Sequence, residues 1–430
     1  MVKMIHLIFI SVSIKYLMIT MNLKLSRVSK YALTNPSSIR EIMNIITDYK
    51  LHPEKYPKKL IYLAGGWPQD PPPEFLRDAL LELASDKKLF VKSSRYGATR
   101  GQPNLISKIV EYEKKIYGKK VQPEELLVGL GSTDLTSAFF KAVLNPGDNV
   151  IIATPGYLNY KRQIEIELEL ECCIKKWQII DENGNFDPDV DKLESTIDDK
   201  TKAIILSSPG NPDGQVLNNR QYEKILKVAE EHQIFLVIDL AYRAFIYEEA
   251  PQYVKKRKNP YEVHLCSFSK EFRVPGWRIG YIVANKNLIE AIETIEQART
   301  LTPSRIVQEA ITLMFQKQGI YNRLKQFHER SLEKYREIGL KTYEMLKSIE
   351  GLQPLRPFGG FYVFFKHKKW KSREFCNELL LKEQVALVPG IDFGLEGWTR
   401  LSFAPVIEDL ESLEEGIRRI SNFIKSNKHL

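Results

Sequence analysis

Short apolar runs recur along the chain and are separated mostly by longer segments of helical period. They read "ELLVGL" (125–130), "DNVIIATP" (148–155), "KAIILSS" (202–208), "IFLVIDL" (234–240), "VHLCSFS" (263–269) and "IGYIVAN" (279–285). A strand written as an unbroken apolar run is buried on both faces. Strands of that kind alternating with helices predict an α/β fold built on a mostly parallel sheet between helices. After about residue 315 the pattern changes to a long charged helix, "YNRLKQFHERSLEKYREIGLKTYEMLKSIE" (321–350). It is followed by "GGFYVFFKH" (359–367), another helix and "WTRLSFAP" (398–405). That tail predicts a smaller α+β domain. The expected division is an apolar extension at 1–20, an arm with part of the small domain at 21–70, the large domain at 71–315 and the small domain at 316–430.

The opening "MVKMIHLIFISVSIKYLMIT" departs from the rest. Lys15 interrupts its apolar run, no small-residue cleavage pattern follows, and His6 and Lys15 argue against a span. The expectation is that Met21 opens the native protein. At 430 residues and 43% hydrophobic content the chain is long enough for a large core. Its 4 cysteines, of which only Cys172 and Cys173 adjoin, form neither a metal spacing nor a disulfide framework. A cytoplasmic setting fits. The formal charge is +9, but lysines interleave with glutamates, as in "KSREFCNELLLKEQ". That is the pattern of solvated helix faces, so neither nucleic acid nor membrane is expected as a partner.

In a parallel sheet, chemistry gathers at the carboxyl ends of the strands. The first run continues into "GLGSTD", where Gly131 permits a turn, and Ser132 and Thr133 open a helix whose positive end suits an anion. Asn211 lies in the strand-end loop "SSPGNPDGQ". Asp239 follows the apolar run Ile234–Ile238, and a carboxylate there needs a cation or hydrogen bonds. Tyr242 follows three residues later. In "SFSKEFRVPGWRIGY" (267–281), Lys270 is an amine nucleophile flanked by Ser267, Ser269 and Arg278, donors suited to a phosphate dianion. An amine beside a phosphate site with a buried acid in the same cleft describes a pocket for pyridoxal 5'-phosphate.

The segments "LAGGWPQDPPPEFL", "YGATRGQPNL", "GLGSTD", "TPGYLNY", "PGNPDG", "DLAY", "SFSK…PGWRIGY" and "TRLSFA" stand in one order. Together they resemble the class I/II aminotransferases of pyridoxal phosphate fold type I, over residues from about 25 to 425. The resemblance implies a Schiff base on Lys270 and a pairing of Asp239 with the pyridine nitrogen. It also implies hydrogen bonds from Asn211 and Tyr242 to the ring hydroxyl oxygen, and Tyr157 stacked on the ring. Arg400 would hold the substrate α-carboxylate, with the Gly66 backbone near it. Tyr96 would reach the phosphate of a neighbouring subunit, making a homodimer with sites at the interface. The implied activity moves an amino group between an amino acid and a 2-oxo acid by a ping-pong route, with no metal. Two rivals share the pocket: a carbon–sulfur β-lyase and a cofactor-binding sensor without turnover. Asp213 stands where the family usually has threonine, and "DLAY" differs from the more acidic forms. Trp67, Arg95, Trp277 and Phe361 are candidates for shaping the pocket.

Overall fold

The computed structural model describes residues 24–35, 38–168 and 170–427. The segment 1–20 and the expected start at Met21 lie outside the described residues. The strands, in chain order, are β1 (Ile61–Tyr62), β2 (Leu126–Gly129), β3 (Asn149–Thr154), β4 (Cys173–Gln178), β5 (Thr201–Ser207), β6 (Phe235–Asp239), β7 (Glu262–Ser267) and β8 (Gly280–Val283). They continue with β9 (Leu352–Pro354), β10 (Tyr362–His367), β11 (Val385–Ala386), β12 (Val388–Pro389) and β13 (Trp398–Ser402).

Seven of them form one sheet in the order β2-β8-β7-β6-β5-β3-β4. Only β8 runs against its neighbours, and the remaining pairs are parallel. All six apolar runs became strands of this sheet. The seventh, β4, was not foreseen because it reads "CIKKWQ" and buries only Trp177 fully along its length. It is an edge strand with one wet face, so it lacks the continuous apolar signature of its neighbours.

Helices cover both faces of the sheet, and the apolar residues of alternate strand positions enter two separate clusters. Ile204, Leu236 and Ile238 pack on one side; Ala203, Ile205 and Val237 pack on the other. The second sheet is antiparallel, in the order β12-β13-β10-β9. Its core joins Phe365 and Leu401 to Leu413, Ile417 and Ile420 of the helix Leu410–Ser426. The charged helix expected after residue 315 spans Ile320–Lys347. Its first turns pack into the large-sheet core through Ile320 and Leu324. Its later turns pack into the second core through Tyr335, Ile338 and Leu346. One rod therefore carries both cores. Among the described residues no helix is long and apolar enough to cross a membrane.

Candidate active site

Strand register sets the site. Ser207, Asp239 and Leu265 are paired neighbours on β5, β6 and β7, and Ser267 pairs with Gly280 where β8 begins. The carboxyl ends of the parallel strands thus open onto one edge, and there lies a cavity of about 300 Å³. Every site residue expected from the sequence lines it except Tyr96. Tyr96 is 80% exposed, on a loop whose carbonyl accepts from Arg305 Nη1 at 2.7 Å.

One end of the cavity is an anion cradle. Helix Ser132–Val143 starts at Gly131, whose φ of 90° is left-handed, and no side chain caps it. Ser132 and Thr133 of its first turn line the cavity, and an uncapped helix start is the arrangement that binds phosphates. A Cβ on Gly131 would stand 3.1 Å from Arg278 Nη2, so glycine lets the guanidinium come close. Arg278 is itself left-handed at φ 51°, a conformation held against preference at the cavity's rim. Across from it Ser267 caps the helix Phe268–Glu271 that carries Lys270.

At the centre, Asp239 is buried, accepting from Tyr160 Oη at 2.7 Å and from the Ala241 N–H at 2.9 Å. Burial raises its pKa; the two donors and the Lys270 charge oppose that rise. Lys270 is half-buried, and burial, then the Arg278 and Arg400 cations, hold its amine down at about 8 while Asp239 pulls the other way. An amine near 8 is partly neutral at physiological pH, as a nucleophile or base requires.

The other end belongs to Arg400. It is 3% exposed, reaching from β13 to donate to Asn211 Oδ1 at 2.8 Å and to the Ala64 carbonyl at 2.6 Å. Its guanidinium lies 4.6 Å from the centre of the Tyr362 ring. Among the described residues its buried Nε has no hydrogen-bond partner, which is costly unless a ligand meets the group. Asn211 Nδ2 in turn donates to Tyr242 Oη at 3.2 Å, and Tyr242 Oη lies 2.9 Å from Tyr362 Oη. A Cβ on Gly66 would meet Tyr362 Oη at 2.9 Å, so only glycine leaves that wall open.

Sequence reasoning did not assign Tyr160, Tyr362 or Tyr62. Tyr160 lies within the quoted "TPGYLNY", three residues after Tyr157, and its ring meets Tyr157 edge-on at 5.2 Å. Its place beside Tyr157 in that segment was the available signal. Tyr62 and Tyr362 had none, since each reads as an ordinary strand aromatic. Of the four pocket-shaping candidates only Trp67 lines the cavity. Phe361 is fully buried, edge-on to Tyr242 with ring centres 5.1 Å apart.

The donor set fits pyridoxal 5'-phosphate: an uncapped helix start with serines and an arginine for a dianion, a buried acid for a ring nitrogen, and an amine between them. The model of the family described as aminotransferase class I and II matches residues 58–420. An aspartate aminotransferase of Pyrococcus abyssi is 28% identical over 404 residues, covering 92% of this chain and 97% of its own. An aspartate/prephenate aminotransferase of Thermus thermophilus is 30% identical over 363 residues, covering 84% and 91%. Among solved structures, the aspartate aminotransferase of Thermus thermophilus with maleate superposes with a TM-score of 0.81 at 27% identity, covering 93% of this chain and 99% of that one. With this cavity, this sheet order and these relatives, the chain belongs to the class I and II aminotransferases, transferase enzymes of fold type I that depend on pyridoxal 5'-phosphate.

Proposed function

We propose that the enzyme moves an amino group from an amino acid to a 2-oxo acid in two half-reactions at this one cavity, using Lys270 twice. Bound there, pyridoxal 5'-phosphate would supply an aldehyde that condenses with amines and a ring that takes up the electron pair released when a Cα–H bond breaks. Lys270 would hold the group through its amine and, once freed, would carry the proton from the substrate Cα to the neighbouring carbon. Ser132 and Thr133, with Ser267, Ser269 and Arg278, would hold the phosphate. Asp239, steadied by Tyr160, would keep the ring nitrogen protonated. Asn211 and Tyr242 would bond the ring hydroxyl oxygen, and Tyr157 would cover the ring face. Arg400 grips the substrate α-carboxylate as a two-pronged donor beside the Gly66 backbone, which selects the bond that breaks.

The observation that carries this reading is the convergence of Lys270, Asp239, Arg278 and Arg400 on one cavity, from positions as far as 161 residues apart. The names of the relatives favour transamination over β-elimination. The reading extends to the division of the chain near residue 315, and to a homodimer in which the exposed Tyr96 completes the partner's phosphate site. The test is spectroscopic. Mixing the cofactor-loaded protein with amino acids, without any 2-oxo acid, bleaches its visible absorbance band for at least one of them, and a 2-oxo acid restores it. Pyruvate and ammonia from cysteine would overturn transamination in favour of the lyase, and an unresponsive band would favour the sensor.

A further inference from the structure

The turn that carries Lys270 is held from behind by a residue outside the cavity. Arg273 has a left-handed backbone, φ 57°, and its side chain is wholly buried. Its Nη1 donates to the carbonyl oxygens of Lys270 at 3.0 Å and Glu271 at 3.2 Å. Its Nε lies 3.1 Å from each carboxylate oxygen of Asp70. Asp70 Oδ1 also accepts from Tyr335 Oη at 2.7 Å. The rings of Phe245, Phe327 and Tyr335 surround the guanidinium with centres 4.9, 5.1 and 5.3 Å away.

Asp70 lies six residues after Ala64 in the loop between β1 and the helix Glu74–Ser85. The Ala64 carbonyl receives Arg400 Nη2, and Gly66 and Trp67 line the cavity between them. Lys270 and the wall around Arg400 come from distant parts of the chain, yet one planar guanidinium binds the backbone of the first and the loop of the second. A guanidinium fork holds two partners at fixed angles, which an ammonium on a flexible stem does not. Aromatic rings on its faces leave it little freedom to turn.

We propose that Arg273 is a positioning residue. Through the Lys270 carbonyl and the Asp70 carboxylate it fixes the Lys270 amine relative to the loop beside Arg400, so that the loop and the amine are placed as one unit. The inference rests on the reading of Lys270 and Arg400 given above.

The test compares Arg273→Gln, Asp70→Asn and the double variant by amide hydrogen exchange and by kinetics on the cofactor-loaded protein. Tyr335→Phe, which removes only the hydroxyl bond to Asp70, serves if either variant fails to fold. Asp70→Asn is expected to speed exchange about tenfold at residues 268–274, and Arg273→Gln to do so at residues 64–70, each with little change in the distant helix Asn219–Glu231. Tyr335→Phe should give about threefold in both segments. Kinetically, each single variant should raise KM for the amino donor and lower kcat by about tenfold, and the double variant should be no worse than the poorer single one. Exchange changes confined to the mutated segment, or losses that multiply in the double variant, would overturn the proposal. If the unaltered loaded protein reacts with no amino acid, the transaminase reading falls while the exchange comparison still decides whether the two segments are coupled.

Discussion

Two groups of charges, which adjoin along the chain at Lys270 and Glu271, are treated in opposite ways. In the cavity, Lys270, Arg278 and Arg400 stand beside one another, and the acceptors available to Arg278 and Arg400 are neutral oxygens. Deeper in the core, Arg243 follows Tyr242 and Glu271 follows Lys270. Arg243 Nε lies 2.7 Å from Glu271 and its Nη1 lies 2.8 Å from Glu113, with all three side chains fully buried. Tyr281 accepts from Arg243 at 2.6 Å, and Tyr112 donates to Glu271 at 2.7 Å. Beside them, buried Lys119 meets His264, which lies 2.8 Å from Glu262; burial, then the Lys119 charge, holds that imidazole down at about 4. In the core the charges are answered within the protein. In the cavity three cations face a single acid, which is the electrostatic form of a site awaiting an anion. Cations without an acid of their own thus gather at the cavity, and the charges of this core cluster are paired with one another.

The largest way to break this contrast is Lys270→Ala. It should remove the visible band of the loaded protein and lower turnover by at least about 10⁴-fold, with the circular dichroism of the fold unchanged. Retention of the band would show that the amine is not the cofactor's partner.

Next comes the core cluster, where loss of one member strands the others. Arg243→Met should cost about 3–5 kcal/mol in urea unfolding, because two carboxylates are left buried without their cation. Arg278→Ala, at an exposed position, should cost less than about 1 kcal/mol without cofactor. Equal losses for the two would dissolve the distinction between answered and waiting charge.

Asp213 sharpens the comparison from the acid side, because it is buried, accepts the Gln215 N–H at 2.9 Å, and burial pushes its pKa up to about 7. A carboxyl raised on folding is favoured in its protonated form, so its penalty is absent at low pH and grows as pH rises toward about 7. Asp213→Asn should therefore leave stability unchanged near pH ~4 and raise it by about 2 kcal/mol at pH ~8. A gain that does not vary with pH would disprove the assignment.

The smallest expected effect is a shift in a rate profile. Only the neutral Lys270 amine attacks an aldehyde, so band formation on adding pyridoxal 5'-phosphate to the cofactor-free protein should rise about tenfold per pH unit and level off above about 8. Arg278→Ala removes a cation that disfavours the protonated amine, and should move the midpoint upward by less than about one unit. A downward shift would contradict the sign of that interaction.

Much of this enzyme was readable without coordinates. The six apolar runs marked six strands because burial on both faces leaves a local signature. Asp239 stood out because an acid ending such a run demands a partner. Lys270 with its serines and arginine was legible because the groups suited to a phosphate and an aldehyde lie within 12 residues of chain. The edge strand β4 was missed for the converse reason, since its exposed face carries polar residues.

The partners of these groups are a different matter. That Asp239 is met by Tyr160, that Arg400 braces on Ala64 and Asn211, and that Arg273 joins Lys270 to Asp70 depend on strand order, register and the path of one helix through both cores. Hydrophobic periodicity is a property of neighbours along the chain and so is written locally. The balance of buried charge is a property of neighbours in space, set only when the sheets are assembled.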